Sequence, residues 1–351
     1  LKAELCSLEV PAIQLFNKCM DTKLSREEGV RALVIWCSHP SRSALLGRSE
    51  VLQLFSAQDT GHMLSMPPES GARGMCIRWL LHFFGDVHKV LVEDPKLSAF
   101  CKLPFDAVCL WAEQDGLTCR HSENEVAVLL ELYACKLELS AVQCKQLGSL
   151  LHVSSMSYSF RHFLLPKLSI MSAFQDVLQH FNAMVDVDGT KELSACSVAF
   201  PPKWVGRRKI SGAPTFTFEC SFPVEKLSSM LAGISVQDRT AYGSVFFFGG
   251  FYWMASLVFR PTSSFGVFLT CTSSSANAIP VPSSVKAKYT LSVRRAGVSY
   301  DKIGPVSKWF EGKKSWGFPE AVRNVSSVEK LQEHMVDGKM WGIQCILHEV
   351  L

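Results

Sequence analysis

The chain carries 13 Cys and 10 His, the residue types that supply thiolate nucleophiles, imidazole bases and zinc ligands. Their spacing therefore decides what chemistry is open to it. No pair reads Cys-x-x-Cys, and no two His stand at zinc-site spacing. The nearest approach to a ligand pair is Cys119-Arg120-His121, which has no partner ligand close by along the chain. The patterns that cradle phosphate (GxxxxGK[ST], GxGxxG), raise a serine on a strand–helix turn (GxSxG) or hold zinc on a helix (HExxH) do not occur. Most cysteines lie among apolar neighbours, where a thiol behaves as a small hydrophobe and stays protonated. The expectation is a non-catalytic chain with reduced, buried thiols and neither metal nor cofactor.

Composition narrows the class further. At 351 residues, 48% of them hydrophobic and 19% charged, the chain is globular and long enough to bury two cores. A net charge of +4 without a long basic run gives no support to nucleic-acid binding. The longest apolar run, 245–259, is interrupted by Gly249-Gly250 and is too short to span a bilayer as a helix. No membrane segment and no cleavable leader are expected. The cytoplasm, the nucleus or both are the expected location, and the sequon at Asn324 is expected to be unused. The chain starts at Leu1 and not at Met, so a longer protein upstream is expected.

The elements that would have to position any functional residue divide into two halves. Residues 100–133 read as two helices around a polar hinge. Leu103-Pro104 opens the first, with Pro where a missing N–H costs nothing, and Asp115-Gly116 ends it. Ser122 and Glu125 have the spacing of a capping box, with Val126, Leu129, Leu130 and Tyr133 as the buried face behind it. Ser25 with Glu28, and Ser140 with Gln143, repeat the cap signal. The latter predicts a helix that buries Val142, Leu147, Leu150 and Leu151. Residues 75–92 read as one helix, 38–74 as an irregular insertion rich in Pro, Gly and Ser, and 160–181 as a further helix pair. Near residue 187 the period falls to two. Phe216, Phe218, Cys220 and Phe222 alternate with polar residues, and more strands are expected at 244–248, 251–259, 267–271, 286–293 and 340–350. The fold class is α+β multidomain: an all-α part followed by an antiparallel β-sandwich.

Three elements in order, Leu103-Pro104-Phe105, Asp115-Gly116-Leu117 and Ser122-Glu123-Asn124, resemble the core of a BACK domain, the helical segment that follows BTB domains. Residues 1–22 resemble the closing helices of a BTB domain, of which the rest has no counterpart in the chain. The second half resembles a MATH, or TRAF-like, sandwich through Gly250-Phe251-Tyr252-Trp253, Gly266-Val267-Phe268-Leu269, the strand 287–293, the segment 310–318 that ends Ser-Trp-Gly-Phe, and Asp337-Gly338. The order of parts is similar to plant-type BTB–BACK proteins of the light-response group. The divisions implied are a BTB remnant over 1–22, a BACK-like domain over 23–185 with 38–74 inserted, a linker over 186–200 and the sandwich over 201–351.

The resemblance implies a substrate-recruiting adaptor of a cullin-RING ubiquitin ligase, not an enzyme. The helical part would grip a cullin of the BTB-binding class, with Glu27, Arg31 and Val34 as candidates to face it. The sandwich would hold an extended client segment in a groove lined by Phe268, Tyr289, Trp316, Gly317 and Phe318. Lys313-Lys314 and Arg294-Arg295 would give that groove a basic rim suited to an acidic or phosphorylated client. Two positions depart from the family pattern, Ser256 where an Arg is expected and Lys308 where a Tyr is expected. The plainer reading of Trp316 and Phe318 is core packing. Homodimerisation is expected only with a complete BTB domain. A scaffold or transcriptional regulator without cullin contact is the alternative, and a hidden cysteine enzyme would require a thiol of raised reactivity in a cleft.

Overall fold

The computed structural model of the protein describes residues 25–37, 52–188, 200–206, 215–223, 225, 227–229, 239–260, 264–273, 279–294, 300–312, 314–322, 335–336 and 340–350. The BTB-like stretch 1–22, Lys313, Arg295 and Asp337-Gly338 lie outside them. Helices fill the first half and two antiparallel sheets the second, a mixed α+β chain. Among the described residues no helix is long and apolar enough to cross a membrane.

Helix α1 (Arg26–Cys37) begins with a formed capping box. The Ser25 N–H donates to Glu28 Oε2 at 2.8 Å, and the Glu28 N–H donates back to Ser25 Oγ at 3.3 Å. Its main neighbour is α2 (Asp59–Ser65), inside the stretch expected to be irregular. Asp59 explains why that short helix is held: its buried carboxylate accepts from Arg26 Nε and Nη2 at 2.9 and 2.6 Å and from the Ser56 N–H at 2.6 Å. A tertiary ion pair does here what local periodicity does not.

The single helix expected over 75–92 is two, α3 (Ala72–Phe84) and α4 (Val87–Val92). The break has a visible cause. Thr118 N–H donates to Gly85 O at 2.7 Å and Val87 N–H to Thr118 O at 3.1 Å, a one-residue parallel bridge between Asp86 and Thr118. A Cβ at residue 85 would collide with the Leu81 carbonyl, so the residue at the break is small. Asp86 then caps α4, accepting the Lys89 N–H at 3.1 Å. Helix α5 (Asp94–Phe100) follows, and Pro104 stands at the N-cap of α6 (Phe105–Ala112), as the sequence predicts.

Helix α7 (Asn124–Leu137) is largely buried, yet the expected Ser122–Glu125 capping box is not formed. The three residues behind Ser122 are all buried and each serves a different neighbour. Glu123 accepts the His152 N–H at 3.1 Å. Asn124 donates to Gly249 O at 2.8 Å and Ser157 Oγ at 3.1 Å, and accepts the Ser157 N–H at 3.2 Å. Glu125 accepts the Arg120 N–H at 2.8 Å. Further along α7, Glu131 accepts the N–H groups of Ser169 and Ile170 at 2.8 and 3.1 Å. Helix α8 (Ala141–Ser149) keeps its box at Ser140 and Gln143, but Val142 is 77% exposed and not in the core. Position two of a helix that packs through Cys144 and Leu147 turns outward. Helices α9 (Tyr158–Phe163) and α10 (Gln175–Asp188) complete the series. The short α11 (Pro202–Val205) packs back on it through buried Trp204, whose indole donates to Gly148 O at 3.0 Å. Contacts of the helical part thus reach residue 206, inside the segment assigned to the second domain.

One sheet runs β1 (Phe216–Pro223), β9 (Met340–Val350), β5 (Ser284–Arg294), β6 (Tyr300–Glu311), with β8 (Met335–Val336) beside β9. The other runs β2 (Arg239–Phe248), β3 (Phe251–Arg260), β4 (Ser264–Thr272), β7 (Ser315–Val322). Strands β6 and most of β7 exceed the sequence expectation. Gly249 and Gly250, both at positive φ (64° and 90°), make the two-residue turn between paired Phe248 and Phe251. That turn rests on the helical part. Asn124 holds its carbonyl, Phe160 meets Phe251 edge-on at 5.7 Å, and the Lys286 N–H donates to Ser159 Oγ at 3.2 Å. Among the described residues the buried apolar side chains of both halves, from Val30 to Leu347, belong to one cluster.

Candidate functional site

The five groove candidates do not meet in one groove. Tyr289 is 1% exposed, faces the interior of the first sheet beside Phe310 at 5.7 Å, and burial pushes its hydroxyl pKa up. The others lie in the second sheet, where β4 pairs with β7: Val267 with Phe318, Phe268 with Gly317, Leu269 with Trp316. Alternation puts Phe268 on the face opposite to Trp316 and Phe318. Gly317 lies so close to Val267 and Phe268 that a Cβ would strike backbone, which explains the glycine without a ligand. Phe318 packs against the core, whereas Trp316 is 37% exposed at the edge strand. Lys308, from edge strand β6, places Nζ 5.0 Å from the Trp316 ring centroid, a cation–π contact. Of the predicted basic rim, exposed Lys314 is bound to Glu311 at 2.7 Å.

The cullin-facing candidates separate in the same way. Glu27 and Arg31 are exposed, but Val34 is 0% exposed and belongs to the core. The apolar residue that continues the outer stripe of α1 is Ile35, 57% exposed, at i+8 from Glu27 and i+4 from Arg31. Ile35 and Val34 are adjacent, and periodicity alone does not say which way the helix is turned.

A constellation the sequence did not reveal lies where α4, the loop before α7 and the β2–β3 hairpin converge. Donor atoms of His88, His121 and Glu125 all lie within 4.8 Å of one another. His88 Nδ1 is 3.2 Å from Glu125 Oε1, and both residues are buried. Among the described residues His121 Nε2 is buried and has no hydrogen-bond partner. Burial first, then electrostatic coupling to His88 and Arg120, pushes the His121 pKa down to about 3, which favours the neutral ring. Phe247, Phe216 and Phe248 surround the two rings, with His121 and Phe248 centroids only 4.1 Å apart. A cavity of about 760 Å³ opens beside the cluster and is lined by His88, Lys89, Arg120, Phe216, Phe247 and Tyr252 among others. The signal missed in the sequence was Asp86-Val87-His88, an N-cap inside an apparent helix.

Burial is the first cause that moves the thiols of Cys76, Cys101, Cys109, Cys135, Cys144, Cys220, Cys271 and Cys345 away from the thiolate form. Burial raises Cys76, Cys109 and Cys220 to about 12, and the exposed Cys135 stands at about 11. No protein-family model matches the chain, and no match was found among the curated proteins.

Proposed function

We propose that this chain is a substrate-recruiting adaptor of a cullin-RING ubiquitin ligase, with a BACK-like helical part that grips the cullin and a MATH-like β-sandwich that takes the client. One observation carries the reading: the Ser122-Glu123-Asn124 element of the BACK resemblance is also the seat of the β2–β3 hairpin, through the Asn124–Gly249 bond of 2.8 Å. A recruiting adaptor works by proximity, since a target lysine held at a fixed distance from the ubiquitin-charged enzyme has a raised effective concentration. A polar seat buried between the two parts supports such a fixed distance. The cullin would meet the stripe Glu27, Arg31 and Ile35. The client would meet the β6–β7 edge, where an extended segment adds to an edge strand and Trp316 with Lys308 supplies an apolar and cationic anchor. The alternative of a non-ligase scaffold uses the same edge without the cullin.

The test is a binding titration of the N-terminal domain of a BTB-binding cullin against this chain and against a version extended upstream through a complete BTB domain. The extended form is expected to bind, and Ile35→Asp to weaken that binding about tenfold, about 1.4 kcal/mol. Absence of binding by the extended form would remove the ligase reading and leave the scaffold.

A further inference from the structure

We propose that His88, His121 and Glu125 form a binding site for one divalent cation of the zinc class, set into the junction between the helices and the β2–β3 hairpin. Four observations converge on it. The donors come from three separate chain positions yet lie within 4.8 Å of one another. A tetrahedral ion with donors at 2.0–2.1 Å has donor–donor edges of about 3.3 Å, and the His88 Nδ1–Glu125 Oε1 separation is already 3.2 Å. Among the described residues His121 Nε2 is buried and unpartnered, a group whose desolvation none of them offsets. The second oxygen of Glu125 is held by the Arg120 N–H at 2.8 Å, so the carboxylate is aimed by a neighbour, as ligating carboxylates are.

The donor set decides the class of ion. Two imidazole nitrogens and one carboxylate suit Zn²⁺ or Co²⁺, whereas Ca²⁺ and Mg²⁺ take oxygen ligands. Neutral imidazoles and one carboxylate leave a single net positive charge on the bound ion. The aromatic shell of Phe216, Phe247 and Phe248 keeps the surroundings apolar. Three protein donors leave one tetrahedral position for water, and the cavity lined by His88 lies next to it. A bound ion takes the Nδ1 lone pair of His88, so the ring's single N–H stands on Nε2. The bound ion joins α4, the loop before α7 and α7 itself directly beneath the hairpin. It therefore stiffens the junction on which the relative placement of the two parts depends.

The experiment uses the full chain without a purification tag, stripped with a chelator and titrated with Co²⁺ and Zn²⁺. One equivalent of Co²⁺ is expected, with visible d–d bands of a four- or five-coordinate ion and no thiolate charge-transfer band. Zn²⁺ is expected to raise the melting temperature and chelator to reverse it. His121→Phe keeps the ring against Phe248 and deletes the donor. It is expected to lower affinity about 100-fold while the metal-free variant melts no lower than the metal-free parent. Glu125→Gln retains an acceptor for Arg120 and is expected to lose the ion as well, which keeps the test open if His121→Phe does not fold. The proposal is overturned if the stripped chain takes up no ion, if both variants bind as tightly as the parent, or if a thiolate band shows that cysteines hold the metal.

Discussion

Asn124→Ala is the most informative single substitution, because Asn124 is buried on α7 while its amide reaches the β2–β3 turn. It removes the partner of Gly249 O (2.8 Å) and the partner of the Ser157 N–H (3.2 Å). Each buried group left unpaired costs about 1–3 kcal/mol, so two of them put the expected loss at about 3 kcal/mol. Loss of the side-chain volume adds little, since the Cβ beside Gly250 remains. Urea unfolding followed by circular dichroism and tryptophan fluorescence reads the stability. Hydrogen exchange by mass spectrometry reads the turn itself. The expected result is a lower midpoint by both probes and faster exchange at residues 248–251, with α7 beyond its first turn little changed. Asn124→Asp keeps the acceptor for Ser157 but sets a carboxylate against the Gly249 carbonyl, and is expected to cost at least as much. A loss below about 1 kcal/mol with unchanged exchange at the turn would refute the view that this side chain seats the hairpin.

Gly250→Ala is expected to cost about 2–3 kcal/mol in thermal or urea unfolding, from a positive φ of 90° and from collision of the new Cβ with Asn124 and the Phe160 ring. Gly312→Ala, at φ 59° with open space around it, is the control and is expected to cost about 1 kcal/mol. Arg26→Ala is expected to lose about 2 kcal/mol, less than a fully buried pair because Arg26 is half-exposed. Burial pushes the Asp59 carboxyl up, but the bonds from Arg26 and Ser56 outweigh it and hold the group below its ordinary value. Its contribution is therefore present above about pH 3.9 and is lost as pH falls from there through the lowered folded value, so Asp59→Asn is expected to flatten that acid limb of a stability–pH curve. Val34→Asp is expected to abolish cooperative unfolding of the helical part, whereas Ile35→Asp leaves the melting curve unchanged within about 0.5 kcal/mol. Thiol labelling of the native chain, mapped by mass spectrometry, is expected to be slow at every described cysteine, with the exposed Cys135 the fastest.

Some of this was written in short-range pattern and some was not. The caps at Ser25 and Ser140, the helix opened by Pro104, the turn at Gly249-Gly250 and the alternation of β1 depend on residues two to four positions apart, and the sequence alone determined them. It also determined that helices come first and antiparallel strands second, because the period of the apolar residues changes. Where tertiary structure decided, the reason in each case is a partner far along the chain. Ser122 gives up its box because Asn124 and Glu125 are drawn to Gly249 and His88, which local spacing cannot foresee. Asp59 makes a helix of an apparent insertion because Arg26 lies 33 residues away. Val34 and Ile35 differ by one step of about 100°, and only the neighbouring α2 and α3 fix which of them faces the core. Tyr289 and Phe268 fall on different sheets because strand order is a non-local pairing. The three-donor cluster exists only because the backbone breaks at Gly85 to bridge Thr118, and that bridge brings His88 to residues 33 and 37 positions further on.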